Sequence, residues 1–248
     1  MAKTLLVTGG SRGIGAAVCR VAAAAGYRIA VNYAANADAA EGLVAGLSSK
    51  GVDAFAVKAD VADDAQVIAM FETIDKRFGA LDALVNNAGI VDRKARLDEM
   101  SAKRIERMFA INVIGSMLCA REAVKRMSTR HGGKGGAIVN VSSVGATHGA
   151  PGEYIDYAAS KGAIDTFTVG LARELATEGV RVNAVRPGIV DTEIHASGGQ
   201  PGRPAAMRQF IPMRREGQAD EIAHAVLWLL SDQASYTTGA LLDVSGGR

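Results

Sequence analysis

Short apolar runs alternate with longer stretches of helical periodicity along the whole chain. The runs are nearly continuous in aliphatic residues, which is typical of strands buried on both faces. Seven strands are predicted, at 4–8, 28–33, 53–58, 82–87, 137–142, 181–186 and 240–245. Helices are predicted near 13–25, 36–50, 63–78, 101–130, 157–178 and 218–232. This alternation predicts an α/β fold, a doubly wound parallel sheet of Rossmann type with helices on both faces.

The segment 191–217 interrupts this pattern. It holds three of the five prolines and four glycines, and it has few aliphatic runs. A loop of this length in a compact α/β domain more often serves binding than structure. No low-complexity linker divides the chain, so one domain over residues 1–248 is predicted, with a substrate lid at about 191–217.

Composition narrows the class of protein. The chain of 248 residues is 48% hydrophobic and 22% charged, with a formal net charge of +2, which gives no case for nucleic-acid or membrane partners. Cys19 and Cys119 form no C-x-x-C pattern and are expected to be reduced thiols. No signal peptide or membrane-spanning run is predicted, so a cytoplasmic location is expected. His148 and His195 have no other metal-binding residue types at a suitable spacing in the sequence, which predicts exposed loop histidines and no metal site.

A glycine-rich turn, "TGGSRGIG", lies between the first strand and the first helix. Gly9, Gly13 and Gly15 let the backbone turn sharply, and the helix N-terminus offers free N–H groups to a pyrophosphate. A tight strand–helix turn without a ligand could use the same glycines, but the strand before and the helix after favour dinucleotide binding. A P-loop is excluded because no G-K-[ST] closes the motif.

The end of the second strand bears on the choice of cofactor. Asn32 and Tyr33 occupy the position at which a carboxylate would hold the ribose hydroxyls. A methyltransferase with a glycine-rich first turn would normally have an acid at the same position. Without that acid, a 2′-phosphate meets no repulsion. Arg12 could pair with the 2′-phosphate, and a surface arginine without a ligand is an equally good interpretation of this residue. NADP(H) is therefore favoured, and NAD(H) stays open.

Five motifs occur in order along the chain. They are T-G-x-x-x-G-x-G (8–15), "NNAG" (86–89), the second serine of "NVSS" (140–143), Y-x-x-x-K (157–161) and "RPG" (186–188). Together they resemble the short-chain dehydrogenase/reductase family in its form of roughly 250 residues. The similarity runs from end to end and is greatest to bacterial glucose-1-dehydrogenase-like and ketoacyl-reductase-like oxidoreductases. The glycine spacing differs from that of the sugar epimerases of the same superfamily.

The resemblance implies a set of site residues and an assembly. The implied catalytic residues are Ser143, Tyr157, Lys161 and Asn112. The cofactor site predicted from the turn, the second strand and the resemblance comprises Gly9, Ser11, Arg12, Gly13, Ile14, Gly15, Asn32, Asp60, Val61, Asn87, Ala88, Gly89, Tyr157, Lys161, Pro187, Gly188, Val190 and Thr192. A homotetramer is implied, with helices 101–130 and 157–178 at one interface and the last strand near another. The segment 143–157 is slightly longer than in many relatives, which leaves its substrate contacts open.

The chemistry explains why a tyrosine needs a lysine at this spacing. A free phenol titrates near pH ~10, and a nearby positive charge lowers its pKa. Tyr157 and Lys161 are i and i+4 neighbours on one helix face, so the ammonium and an oxidised nicotinamide are expected to lower the pKa of the phenol. Ser143 would hydrogen-bond the reacting oxygen, and Asn112 would support a water beside Lys161, as the resemblance implies. Tyr154, which has no lysine partner, is expected to shape the substrate pocket or pack the loop.

The sequence therefore predicts an NADP(H)-dependent oxidoreductase that interconverts a small-molecule ketone or aldehyde with an alcohol. The alternative from another class is a regulatory protein that binds NADP(H) and has lost turnover. The substrate itself stays open.

Overall fold

A computed structural model describes residues 2–248 of the chain; Met1, the first residue of the predicted domain, lies outside the described residues. Within residues 2–248, seven strands form one parallel sheet in the order β3-β2-β1-β4-β5-β6-β7. The strands are β1 (Thr4–Val7), β2 (Arg28–Tyr33), β3 (Ala54–Lys58), β4 (Ala83–Asn86), β5 (Gly136–Val141), β6 (Val180–Pro187) and β7 (Leu241–Val244).

Helices connect the strands and cover the sheet on both faces. They are α1 (Gly13–Ala24), α2 (Ala37–Ser48), α3 (Asp64–Phe78), α4 (Ala102–Phe109), α5 (Gly115–Met127), α6 (Gly145–His148), α7 (Ile155–Leu175), α8 (Ile194–Ser197), α9 (Arg203–Met207) and α10 (Ala219–Leu230). None of the helices described is long and apolar enough to span a bilayer.

Two apolar cores form because successive strand residues point to opposite faces. Leu5 and Val7 belong to the core beneath α1, α2 and α10, whereas Leu6 belongs to the core beneath α3, α5 and α7. All residues of β1 are buried, as expected for a strand covered on both sides. The predicted doubly wound fold and its seven strands are confirmed, with strand ends shifted by one residue at most.

The predicted helix 101–130 is helical without a break from Ala102 to Met127, but it is not a uniform α-helix. Between α4 and α5 the backbone makes a five-residue π-helical turn, Ala110–Ile114, and a separate 3₁₀ turn, Thr129–His131, follows α5. Close packing accounts for the first residue of α5, because a Cβ on Gly115 would lie 2.7 Å from Val61 Cγ2. The wider turn carries Asn112 into the interior. π turns of this kind occur often at functional sites.

The segment 191–217, predicted as a loop, contains α8, α9 and a 3₁₀ turn (Arg208–Phe210). Its two ends are joined by backbone hydrogen bonds: Asp191 N–H donates to the Gly217 carbonyl (2.9 Å), and Gly217 N–H donates to the Ile189 carbonyl (2.9 Å). The segment therefore leaves the domain and returns to it at one place.

Candidate active site

A cavity of about 430 Å³ opens at the carboxyl ends of β1, β4, β5 and β6. The chain winds in opposite directions from β1, and ligands of open α/β sheets bind in the crevice at such a switch point. Ten predicted site residues line this cavity: Ile14, Asn87, Gly89, Ser143, Tyr157, Lys161, Pro187, Gly188, Val190 and Thr192.

The glycine turn has the shape that a pyrophosphate requires. Gly9 and Gly13 have φ angles of 58° and 51°, a region that favours glycine. A Cβ on Gly15 would lie 2.5 Å from both the Gly9 carbonyl oxygen and Asn87 Nδ2. The side chain of Arg12 does not cap α1, so the first-turn N–H groups stay available to an anion. These residues fit the diphosphate of a dinucleotide.

Thr8 and Asn87 join the glycine turn to the end of β4. The Thr8 hydroxyl oxygen accepts hydrogen bonds from the N–H groups of Asn87 and Ala88, each at 3.0 Å. Asn87 Nδ2 donates to the carbonyls of Thr8 and Gly9, each at 2.9 Å. The Asn87 side chain therefore holds the floor of the cofactor site in shape.

Asn32 corrects one sequence-based prediction. Its side chain is buried beneath the turn, where Oδ1 accepts from Gly9 N–H (3.1 Å) and Nδ2 donates to the carbonyls of Val57 (3.3 Å) and Ala59 (3.0 Å). Because these bonds occupy the amide, Asn32 supports the turn and is not free to contact a cofactor. From β2, this short amide bridges the Gly9 N–H after β1 and two carbonyls at the end of β3.

Other predicted cofactor residues lie around the same edge. Arg12 and Asp60 are exposed, and Asp60 Oδ1 accepts from Ala62 N–H at 3.0 Å. Ser11 is partly exposed in the turn, and Val61 is buried against Gly115. Arg12 is thus accessible to a phosphate, while the Val61 side chain serves packing.

Ser143, Tyr157 and Lys161 come together where β5 meets α7. Lys161 Nζ lies 5.6 Å from the centroid of the Tyr157 ring and donates to the Val141 carbonyl at 2.7 Å. Ser143 follows β5 by two residues and lies near enough to the Tyr157 phenol to act on its pKa. Ser143 Oγ also accepts from Gly145 N–H at 3.0 Å. The two hydroxyl-bearing side chains therefore line one cavity, with the Lys161 ammonium beside the phenol ring.

The electrostatics of this group differ from the expectation for Tyr157. Burial raises the pKa of the Tyr157 phenol, although its hydrogen bond with Ser143 acts in the opposite direction. Burial lowers the pKa of Lys161 to about 8, although the nearby Asp165 carboxylate acts to raise it. In the protein alone, desolvation is the larger effect on the Tyr157 phenol. The predicted lowering of its pKa includes the charge of an oxidised nicotinamide, and it stays a prediction for the complex.

Asn112 lies beside Lys161. Its Oδ1 accepts from Ile90 N–H (2.8 Å), and its Nδ2 donates to the Ile90 carbonyl (3.1 Å) and to Ser160 Oγ (3.1 Å). A Cβ on Gly89 would lie 3.4 Å from Asn112 Oδ1 and 3.7 Å from Lys161 Nζ. The asparagine therefore fixes the loop after β4, and Gly89 leaves space between the amide and the ammonium.

A buried ion pair secures the start of α7. Arg104 Nε donates to Asp156 Oδ2 (2.8 Å) and Arg104 Nη2 donates to Asp156 Oδ1 (3.2 Å). Asp156 Oδ1 also accepts from Tyr157 N–H at 2.9 Å. The Asp156 side chain is only 1% exposed, so this bidentate pair fixes the backbone that carries Tyr157. No local pattern signals a pair 52 residues apart, and sequence reasoning missed it.

Charged residues that sequence reasoning also missed line the cavity beyond Tyr154. Glu153 accepts from Arg203 Nη2 at 2.7 Å and from Lys94 Nζ at 3.1 Å. The Arg203 guanidinium lies 5.0 Å from the centroid of the Tyr154 ring. Arg248 contributes to the same wall. Tyr154 is buried and shapes the cavity, as predicted.

The two loop histidines differ from each other. His148 is exposed, as predicted. His195 is not a solvent-exposed loop residue: it is half-buried, its Nε2 donates to the Val190 carbonyl at 3.0 Å, and burial lowers its pKa. His195 lies on the short helix α8 and lines the cavity, whereas the sequence predicted a loop at this position.

Comparison with known proteins places this geometry in a family. A family model described as enoyl-(acyl carrier protein) reductase matches residues 9–248. The chain is 55% identical over 243 residues to the uncharacterized oxidoreductase YgfF of Escherichia coli K12, covering 98% of each chain. It is 40% identical over 247 residues to the 3-oxoacyl-[acyl-carrier-protein] reductase FabG of Staphylococcus aureus, covering 100% of this chain and 98% of the relative.

Solved structures agree with the sequence relatives. A short chain dehydrogenase of Burkholderia cenocepacia in complex with NADP superposes with a TM-score of 0.90 at 36% identity, covering 99% of this chain and 97% of the other. A mutant of a Serratia marcescens short-chain dehydrogenase/reductase gives 0.91 at 37% identity with the same coverage. The chain belongs to the short-chain dehydrogenase/reductase family of oxidoreductases, which confirms the resemblance found in the sequence.

Proposed function

We propose that the protein is an NADP(H)-dependent oxidoreductase that interconverts a ketone or aldehyde with the corresponding alcohol. The observation that carries this proposal is the position of Ser143 and Tyr157 on the wall of one cavity, with the Lys161 ammonium beside the phenol ring and Ile14 of the glycine turn on the same wall. Two hydroxyls aimed at one point suit an oxygen that gains charge and then a proton.

Each side chain has a separate task. A bound nicotinamide cofactor supplies or accepts the hydride. Tyr157 gives its phenolic proton to the carbonyl oxygen during reduction and takes it back during oxidation. Ser143 donates a hydrogen bond to the same oxygen and fixes its position. Lys161, one helical turn away, stabilises the phenolate that remains, since opposite charges in a poorly solvated site attract strongly.

NADP(H) is proposed as the cofactor, with NAD(H) as the competitor. No carboxylate follows β2 at the position that would hold ribose hydroxyls, and Arg12 is exposed where α1 begins. The related Burkholderia structure contains NADP. The test is the ratio of kcat/KM for NADPH and NADH in the protein and in Arg12→Gln. A preference for NADH, or a ratio unchanged by Arg12→Gln, would contradict this assignment.

Replacing the phenol tests the acid–base assignment. Tyr157→Phe keeps the ring and removes the proton, so kcat should fall by about 10²–10⁴-fold while NADPH binding persists. Tyr27→Phe is the matched control, because that tyrosine is buried in the core and is not among the residues that line the cavity. NADPH oxidation with a panel of carbonyl compounds, together with NADPH fluorescence, measures both quantities. Retention of most activity would refute the role of Tyr157, and cofactor binding without turnover in the unmodified protein would favour the regulatory alternative.

The relatives suggest two thioester substrates that the same assay can compare. A 3-oxoacyl thioester offers a carbonyl beside the phenol, whereas an enoyl thioester offers a carbon–carbon double bond. The hydroxyl pair of Ser143 and Tyr157 favours the carbonyl, because both groups address one oxygen. Faster oxidation of NADPH with a crotonyl thioester than with an acetoacetyl thioester would reverse this preference.

The remaining proposals concern the lid and the assembly. Thr192, Ile194, His195 and Arg203 line the cavity, which supports the segment 191–217 as a cover for the substrate. A homotetramer is proposed because exposed apolar side chains lie on the predicted interface helices and near β7. They are Ile114, Met117, Ile155, Trp228 and Tyr236. Light scattering should give four times the chain mass; a monomer at micromolar concentration would exclude the tetramer.

A further inference from the structure

One arginine in the cavity wall makes no direct ion pair with the residues that the structure describes. Arg248 follows β7, is half-buried and lines the cavity together with Tyr157. Its guanidinium makes no hydrogen bond or ion pair with any of residues 2–248, although the Arg248 carbonyl accepts from Ser245 Oγ at 2.9 Å. A guanidinium carries five N–H donors, and leaving them unpaired in a partly desolvated site is unfavourable.

The surrounding charges make this arrangement more unusual. Glu153 is the one acidic side chain in the part of the cavity wall that the structure describes, and it already forms ion pairs with Arg203 and Lys94. Burial lowers the pKa of Arg248 and the neighbouring Arg203 lowers it further, while the Glu153 carboxylate acts in the opposite direction. The excess of positive charge therefore faces the space in which a substrate would lie.

Packing explains why Arg248 is held in this place. The chain after β7 passes beneath the lid, where a Cβ on Gly246 would lie 2.9 Å from Ile211 Cγ2 and one on Gly247 would lie 3.1 Å from Pro212 Cβ. Arg203 is fixed by Glu153, by Gln200 Oε1 at 3.0 Å, and by the Tyr154 ring. The Arg203 side chain and the backbone that leads to Arg248 are thus in place before any ligand arrives, which reduces the entropy cost of binding an anion.

We propose that Arg248, supported by Arg203, binds a carboxylate group of the substrate, so that the protein acts on small carbonyl compounds that also carry an acid. This inference rests on the proposed function, since it assumes that the substrate carbonyl lies at Tyr157. A planar guanidinium pairs with a carboxylate through two parallel hydrogen bonds. The cavity of about 430 Å³ must also admit a nicotinamide, which restricts the substrate to a small molecule.

A matched pair of aldehydes tests the proposal. 4-Formylbenzoate and its methyl ester share the reacting group and differ in charge. With NADPH, kcat/KM for the acid should exceed that for the ester by about 10-fold or more, because a charge-assisted hydrogen bond contributes on that order. Arg248→Met should remove this preference by raising KM for the acid, with kcat and the ester's kinetics unchanged. Arg248→Lys should restore part of it, and Arg20→Met, on the exposed face of α1, should change nothing.

Binding without turnover separates the two proposals. Calorimetry of the complex with NADP⁺ should show benzoate binding more tightly than benzamide, and Arg248→Met should abolish the difference. Equal reduction of acid and ester, or equal binding of benzoate and benzamide, overturns the carboxylate site even if the ester is reduced rapidly. If Arg248→Met raises KM for NADPH instead, the guanidinium serves the cofactor and the inference is wrong. If neither aldehyde is reduced but benzoate binds selectively through Arg248, the proposed function fails while the anion site stands.

Discussion

Lys161→Met should make the protein more stable while it removes the ammonium from the site. Lys161 is only 5% exposed, and burial lowers its pKa from the ordinary 10.5 to about 8. A lowered lysine pKa means that the fold disfavours the charged form. Methionine has a similar unbranched shape and no charge to desolvate, so it can occupy the same space.

The magnitude follows from the two pKa values. At about 1.4 kcal/mol per pKa unit, the fall from 10.5 to about 8 corresponds to about 3 kcal/mol against folding when Lys161 is protonated in both states. The variant loses the hydrogen bond from Nζ to the Val141 carbonyl, which offsets about 1 kcal/mol. The free energy of unfolding should therefore rise by about 2 kcal/mol at pH 7.

The sign of the pH dependence gives a sharper test. Below pH 8 the folded and unfolded states both hold the proton, and the full cost of burial is present. Between pH 8 and 10.5 the folded state has released the proton while the unfolded state still binds it, so the unmodified protein gains stability relative to Lys161→Met as pH rises. Urea unfolding at pH 7 and pH 10 measures this, with the exposed Lys50→Met as control. A variant that is less stable at pH 7, or a difference independent of pH, would refute the buried-charge argument.

Two further substitutions test packing around the site. Gly15→Ala places a Cβ 2.5 Å from the Gly9 carbonyl oxygen, so a fluorescence titration should show that NADPH binding is lost. The control Gly46→Ala, in α2, meets nothing within 4 Å and should raise the free energy of unfolding by up to about 1 kcal/mol. An unchanged Kd for NADPH in Gly15→Ala would contradict the role of the glycine turn in cofactor binding. Arg104→Met leaves Asp156 buried without its partner and should lower the free energy of unfolding, measured in urea, by about 3–5 kcal/mol. The control Arg96→Met removes an exposed ion pair and should cost about 0–1 kcal/mol. Equal losses of stability would show that the buried pair contributes no more than the exposed one.

The fold could be predicted almost completely because its signals are local. Aliphatic runs such as 28–33 and the glycine turn each report on a few adjacent residues, and repetition of the pattern implies the sheet. The helix 101–130 shows the limit. A π turn adds one residue to the local spacing, and it is stabilised by the bonds from Asn112 to Ile90, which lie 22 positions away in the chain.

The candidate site could be predicted only where a motif reports it. Tyr157 and Lys161 are spaced by one helical turn, so the sequence shows that they share a face. Arg203 and Glu153 meet across 50 positions, and Arg248 joins them only after the chain has completed the sheet. Such contacts leave no periodic pattern in the sequence, which explains why the glycine turn could be predicted and the wall that contains Arg203 and Arg248 could not.

The two pKa changes at Tyr157 and Lys161 have a common cause and opposite chemical consequences. Burial disfavours both charged forms, so it strengthens the hold of the phenol on its proton and weakens the hold of the amine. The protein alone therefore keeps Tyr157 protonated, the state required to donate to a carbonyl oxygen. Removing a proton from an alcohol requires the phenolate, which an added positive charge in the same cavity would stabilise. The fold itself thus prepares the acid, and the base depends on what binds beside it.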